Sequence, residues 1–405
     1  MRATLPIAID TTAKLISSTA TEPHDPAAYS GATAYSLGDI RKVAADYAIY
    51  EYLQDYDAAV TGQTPNVSPR YWRKIGPTET AYDAVKTNYA LSETCSFDHR
   101  CYESLALQTA VHPLPVPPEI KTEFWVYVQP TNKWAMFDGD INTQTVVASP
   151  LTVVIHPGQR INTIGLTRMV ANSLLMKATS AGVGGTIYPL AYDASHVYAK
   201  NECMTAGLSQ CYQSKADNNT GHAAPDATWW TAVAGSVYDL NVRSGIYNAT
   251  TYYYQSFSTR PEKAVFDVPL VSDVAITLTF TATQGNVKCG SVTLGINEYL
   301  GKLLKPAKNE GKSFSTVTRD LYAKATLVKR PMIRKLTGTL LLPSYLIDKA
   351  LAVREAFDAT PALYCGIDED NDWTGAVTIF GVHQDFTVNT TNGVDAEIAF
   401  MAEEI

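Results

Sequence analysis

Residues 71–78 read Tyr71-Trp72-Arg73-Lys74-Ile75-Gly76-Pro77-Thr78, and residues 124–131 read Phe124-Trp125-Val126-Tyr127-Val128-Gln129-Pro130-Thr131. Each is a short run rich in aromatic and β-branched residues that ends at a proline, the pattern of a strand closed by a turn. Working outward, each closes a longer similarity. The first unit opens with Ala34-Tyr35-Ser36-Leu37-Gly38-Asp39, continues through Tyr47-Ala48 and Tyr50-Glu51, and passes a Gly62-Gln63-Thr64-Pro65 loop. The second opens with Ala81-Tyr82-Asp83 and carries Tyr89-Ala90, Cys101-Tyr102-Glu103-Ser104 and a proline-rich loop over 113–118. A third runs from Ala191-Tyr192-Asp193 through Tyr198-Ala199 and Cys211-Tyr212-Gln213-Ser214 to Trp229-Trp230-Thr231-Ala232-Val233. A shared order at this spacing is an internal repeat, and it sets the architecture.

A unit of about 45–60 residues cannot build a large core, so a few aromatics must supply most of its apolar contact. The repeated Tyr and Trp read first as that core. Their second reading is as stacking platforms for a sugar or a protein partner, with Tyr35, Trp72, Trp125, Trp229 and Trp230 as the candidates. Ile40, Val43, Tyr47, Tyr50 and Leu53 also fall on one helical face. The strand reading is preferred over that helix because the other two units lack the period.

Four of the six cysteines fall inside the repeats. Cys95 and Cys101, and Cys203 and Cys211, precede equivalent strands and read as disulfides that staple small units. Thiols that stay reduced in a reducing compartment, or a metal site, are the alternatives. Neither pair has zinc-knuckle spacing, so no metal is assigned. Cys289 and Cys365 read as buried thiols.

The remaining sequence divides by pattern. Residues 1–21 form an N-terminal arm, 22–80 the first repeat and 81–131 the second. Residues 132–310 form a β-sandwich or jelly roll, with the third repeat inserted at about 190–235, as loop tips allow. Within it, Leu151 to Ile155 and Ile161 to Leu166 read as a strand and its return across His156-Pro157-Gly158. Val274 to Thr283 and Val287 to Ile296 read as a hairpin across Gln284-Gly285-Asn286. Residues 311–405 form a small α+β domain with a helix from Pro343 to Asp358, its stripe made of Leu346, Ala350, Val353 and Phe357. The fold class expected is therefore mainly β and multidomain.

Composition limits the function. The 405 residues hold 32 Lys plus Arg against 40 Asp plus Glu, a net charge of −8, without a long basic cluster. That argues against sequence-independent nucleic-acid binding. No run approaches the roughly 20 apolar residues of a membrane span. Asp10 interrupts the apolar patch Leu5 to Ile9, so no export signal is expected.

Motifs for catalysis fail on inspection. Gly311-Lys312-Ser313 ends like a P-loop, but Pro306 stands where the leading glycine belongs. There is no His-Glu-x-x-His and no Gly-x-Ser-x-Gly. The run Asp368-Glu369-Asp370-Asn371-Asp372 lacks the glycine and distal glutamate of a calcium loop. A glycan-degrading enzyme would need paired carboxylates in a cleft, and about 95 residues after the sandwich leave little room for one. No catalytic residue and no cofactor are assigned.

Two resemblances add to this reading. Ala34 to Gly76 resembles the small chitin-binding type of carbohydrate module in its Ala-Tyr-x-x-Gly-Asp opening, Tyr-Glu strand, Gly-x-x-Pro loop and closing Trp. The run Gln129-Pro130-Thr131-Asn132-Lys133-Trp134-Ala135-Met136-Phe137-Asp138, with Trp72 to Thr78 and Thr143-Gln144-Thr145, is similar to a family of tailed-bacteriophage virion proteins of the tail and baseplate. The likeness extends more weakly through Tyr252-Tyr253-Tyr254 to Gly381-Val382-His383-Gln384-Asp385-Phe386-Thr387. It implies a structural subunit of the virion tail, made in the host cytoplasm, with other tail or baseplate proteins as partners. A symmetric homo-oligomer follows for such an assembly. A host cell-surface glycan is the alternative partner, bound by the aromatic units.

Overall fold

The computed structural model describes all residues except 54–61, 116–118, 183–185, 188–191, 199, 201–202, 207–209, 234–249, 255–260, 267, 269–273, 284, 320–324, 329–331, 367–373 and 391–393. The chain is mainly β, with several separate antiparallel sheets. The acidic run over 368–372 lies outside the described residues.

Each repeat is a three-stranded antiparallel meander. The first contains Ile40–Val43, Ala48–Tyr52 and Trp72–Pro77; the second Thr94–Phe97, Arg100–Ser104 and Trp125–Pro130; the third Cys203–Ala206, Gln210–Ser214 and Trp230–Val233. The helical alternative for the first unit is not what forms. Registers agree, because Trp72 lies opposite Tyr52, Trp125 opposite Ser104 and Trp230 opposite Ser214. The first two units also leave their sheets alike. The Thr78 N–H donates to the Tyr47 carbonyl and the Thr131 N–H to the His99 carbonyl, both at 2.9 Å. Tyr47 and His99 are left-handed hairpin residues, with φ of 48° and 66°. The shared Pro-Thr is thus the exit latch of the unit.

The central region has two layers around one core. One sheet contains Leu15–Ser18, Leu151–Ile155, Val274–Thr281, Ser173–Gly182 and Thr250–Tyr254. The other has Thr163–Thr167 between Lys263–Val265 and Ser291–Gly295. Ile276, Leu278 and Phe280 enter the core from the first, and Ile164, Leu166, Val292 and Leu294 from the second. Both expected hairpins are corrected by this. Val274–Thr281 pairs with Leu151–Ile155 and Ser173–Gly182, whereas Asn286–Cys289 pairs with Thr145–Ala148. Likewise Thr163–Thr167 joins the opposite layer from Leu151–Ile155. These turns are crossings between layers. Alternation reports which face of a strand is buried, and an arch buries the same face as a hairpin.

The last sheet runs Asn297–Tyr299, Arg2–Thr4, Ala362–Cys365, Thr378–Thr390, Asp395–Glu404, Met332–Pro343. Lys302–Leu303 and Lys308–Ser313 share the outer edge of Met332–Pro343. Gly311-Lys312-Ser313 is therefore strand. The predicted helix is present as a turn Ser344–Leu346 and a helix Ile347–Ala356, with Ala350, Val353 and Phe357 buried against the sheet.

Two expected boundaries move. Residues 1–21 are stitched into the body, since Arg2–Thr4 joins the last sheet and Leu15–Ser18 the central one, burying Met1, Ala3, Ile9 and Leu15. Residues 297–303, placed with the sandwich from sequence, belong to the last sheet. A β-carbon on Gly165 would lie 2.2 Å from Leu363 Cδ2, so glycine lets the central and last sheets touch there.

Candidate functional site

The three units share one aromatic centre. In the second, Tyr82 stacks on Tyr89 at 5.9 Å and both rings meet Trp125 edge-on, at 6.0 and 4.9 Å. In the third, Tyr192, Tyr198 and Trp230 repeat this with 6.0, 6.4 and 5.1 Å. In the first the three rings are Tyr29, Tyr35 and Trp72, at 5.6, 5.8 and 5.0 Å. The match of Ala34-Tyr35 with Ala81-Tyr82 and Ala191-Tyr192 is thereby shifted. Ala28-Tyr29 is the counterpart, and Tyr35 corresponds to Tyr89 and Tyr198. Hydroxyl bonding agrees, because the Tyr35, Tyr89 and Tyr198 hydroxyls accept from the backbone N–H of Ser30, Asp83 and Asp193 at 2.7–2.8 Å.

Four of the five proposed stacking residues are spent on these centres. Tyr35, Trp72, Trp125 and Trp230 are buried, so their faces are not offered to a ligand. Their indole N–H groups are also used: Trp72 donates to the Gln63 carbonyl at 2.8 Å, Trp125 to His112 at 3.1 Å and Trp230 to His222 at 2.6 Å. A buried indole needs such a partner.

Trp229 differs, being half-exposed, with its ring on His222 at 4.0 Å and 9°. Phe124 on His112, at 3.4 Å and 13°, is its counterpart in the second unit, and Tyr71, stacked on Tyr52 at 6.5 Å, takes the place in the first. The sequence signal for these pairs was the aromatic immediately before each closing Trp, with a His in the preceding loop of two units. Of these three aromatics, Trp229 is among the candidates named from sequence, and Tyr71 and Phe124 are not.

The cysteine staple is not formed in the second unit. Cys95 and Cys101 are buried free thiols. Cys95 lies opposite Tyr102, and Cys101 opposite Ser96, so neighbouring strand positions turn the two side chains to opposite faces of the sheet. Burial pushes the Cys95 thiol up to about 12. Cys289 is also a buried free thiol, and Cys365 is buried with its Sγ accepting from Thr378 Oγ1 at 3.3 Å. The side chains of Cys203 and Cys211 lie outside the described residues.

Charged groups concentrate where the first two units meet the central sheets. The Glu79 carboxylate, only 2% exposed, accepts from the His24 and Asn132 N–H groups, each at 2.6 Å. Burial raises its pKa to about 7 against the opposing effect of those bonds. Beside it, Glu22 accepts from Thr131 Oγ1 at 2.8 Å and Trp134 Nε1 at 3.0 Å and contacts His99. The Asn132 side chain bonds both backbone groups of Val146.

A second bridge joins the first unit to the body. Glu51 pairs with Arg73 at 2.6 Å and with Lys288. Burial works to raise the Glu51 pKa, but Lys288 and Arg73 outweigh it and hold the group below its ordinary value. A cleft of about 490 Å³ opens there, with Glu51, Arg73, Gln144, Arg168 and Lys288 in its wall. Arg168 in turn pairs with Glu404 at 2.9 Å. The cleft's charges bridge one structural part to another.

Among the described residues no group of three or more His, Cys, Asp or Glu is placed to hold a metal ion, and no helix is long and apolar enough to cross a membrane. Comparison with protein-family models, with curated proteins and with solved structures finds no match to this chain.

Proposed function

We propose that the protein is a structural component of a bacteriophage tail tip or baseplate, an interaction subunit whose work is assembly. In this reading residues 132–296 are a sandwich hosting the third unit as an insertion, and the residues after them, with Arg2–Thr4, form an α+β domain. One observation carries it. The run Pro130 to Asp138, the most specific part of the likeness to tail proteins, joins the second aromatic unit to the central core. Its Thr131, Asn132 and Trp134 bind Glu22, Glu79 and Val146, while Trp134 and Met136 enter the core. Such a joint holds the first two units in a fixed pose, as a subunit that positions neighbours requires. Immunogold labelling and peptide mass spectrometry of gradient-purified virions test the proposal. Label confined to the tail supports it, and absence of the chain from virions ends it.

A second reading is favoured by the half-exposed ring pairs. Trp229 with His222, and Phe124 with His112, present flat surfaces of the kind sugar rings stack on. Binding to a host-envelope glycan array that Trp229→Ala weakens, with an unchanged circular dichroism spectrum, supports this. Absence of binding by the wild type leaves the units as spacers.

A further inference from the structure

The first two aromatic units enclose a groove of about 570 Å³. Thr94, in the first strand of the second unit, fixes its walls against each other. Thr94 Oγ1 lies 2.7 Å from the Thr78 hydroxyl and 2.9 Å from the Thr78 carbonyl oxygen, on the exit latch of the first unit. Gly76, just before that latch, sets how closely the units approach. A β-carbon there would lie 2.9 Å from Gln129 Nε2, so the glycine gives the Gln129 amide room beside the closing strand of the first unit. Tyr47 and Ser92 both line the groove and both hold left-handed backbone, with φ of 48° and 62°. Non-glycine residues in that region carry strain, which gathers at binding sites.

The polar groups of the groove are unspent. Lys74, Ser92, Glu103 and Gln129 stand in its wall, and among the described residues none of these four side chains has a hydrogen-bond or ion-pair partner in the protein. Lys74 supplies donors, Glu103 acceptors, and Ser92 and Gln129 both. Leu91, 62% exposed, and Val128, 40% exposed, belong to the same wall. A few polar groups converging among apolar ones are the mark of a ligand site. Sugar rings match this mixture, because their hydroxyls both donate and accept while their C–H faces pack on apolar side chains. Charge narrows the class further. Asp46 is also in the wall, its carboxylate accepting from the Tyr50 hydroxyl, so two carboxylates stand against one ammonium and disfavour an anionic ligand.

We infer that the groove between the first two units binds a neutral saccharide. Glu103 and Gln129 accept from its hydroxyls, Lys74 and Ser92 donate to them, and Leu91 and Val128 pack on a ring face. The buried ring centres hold the two walls and do not touch the sugar. This inference rests on the glycan reading above and gives it a site apart from the Trp229 and Phe124 surfaces.

A printed array of neutral and uronate-bearing oligosaccharides, probed with the fluorescently labelled full chain, tests it. Calorimetric titration of the neutral oligosaccharide bound most strongly then gives the affinity. The wild type is expected to bind neutral spots. Lys74→Ala, Glu103→Ala and Gly76→Ala should each weaken that binding about tenfold, through loss of a hydrogen bond to a charged group or displacement of the Gln129 amide. Lys121→Ala, at an exposed lysine outside the groove, should bind as the wild type does. Circular dichroism spectra should match in all of these proteins. Lys74 is exposed and Glu103 half-buried, so their variants carry the test if Gly76→Ala misfolds. Binding that Trp229→Ala weakens and the groove variants leave unchanged would overturn the inference and leave the glycan reading standing. Preference for uronate-bearing spots would overturn it as well. Absence of wild-type binding to any spot would end both the inference and the glycan reading. A chain that sediments as a dimer until Leu91→Glu disperses it would show a second copy in the groove and no room for the sugar.

Discussion

The indole N–H of Trp125 donates to the carbonyl oxygen of His112 at 3.1 Å, so the largest ring of the second unit ties the loop before its last strand to its own core. The same bond recurs from Trp72 to Gln63 and from Trp230 to His222. In a unit this small, one side chain is both the core and the loop anchor.

Truncating that side chain should therefore be severe. Trp125→Ala is expected to cost about 3–5 kcal/mol, as for other large aromatics removed from a packed core. Trp229→Ala, at a half-exposed ring, should cost about 1 kcal/mol or less. Urea denaturation followed by intrinsic fluorescence checks both. Equal losses would show that the two rings are not divided between core and surface.

Glu79 should make stability depend on pH. Its folded pKa of about 7 lies above the ordinary carboxylate value of 4.5. Between those values the folded chain holds a proton that the unfolded chain has released, so stability falls as pH rises from about 4.5 to about 7. Glu262, raised to about 7 by burial, acts with the same sign. Melting temperatures across about pH 5 to 8 should decline in the wild type and decline less in Glu79→Gln. That variant should also be less stable at pH 5, by about 1–3 kcal/mol, because an amide has one acceptor oxygen for two N–H donors.

Removing one partner of the Glu51–Lys288 pair should cost more than removing both. Lys288→Met leaves a buried carboxylate with Arg73 alone and is expected to destabilise by about 2–3 kcal/mol. Glu51→Met combined with Lys288→Met should regain much of that loss. A double-mutant cycle by thermal or urea unfolding reads the coupling.

Native cysteines of the described cores should resist alkylation. Cys95, Cys101, Cys289 and Cys365 are buried, and burial raises their thiol pKa in the first three. Iodoacetamide labelling with peptide mapping should modify these four only after denaturation. A Cys95–Cys101 disulfide peptide found under non-reducing conditions would contradict the fold of the second unit.

The gap between Ala34-Tyr35 and Ala28-Tyr29 shows how legibility failed locally. Both dipeptides match the repeat in letters, and only ring geometry shows that Tyr29 stands where Tyr82 and Tyr192 stand. The same held for exposure. An aromatic at each closing strand was evident, but which of the neighbours Trp229 and Trp230 faces inward depends on the strand's register against Gln210–Ser214. The C-terminal helix was legible from its 3.6-residue stripe, a local signal, but it spans Ile347–Ala356, and Pro343, expected in its first turn, ends the preceding strand.

By itself the sequence determined what is local: strand-forming runs, the proline-threonine exits, the C-terminal helix with its buried stripe, and the existence of three related aromatic units. Tertiary structure alone decided which strands pair across 274–296, where the first 21 residues go, and which rings close a core. The reason is physical. Alternation and propensity act over a few residues, whereas strand partners, burial and charge placement are set by contacts between segments hundreds of positions apart, such as Arg2 with Cys365.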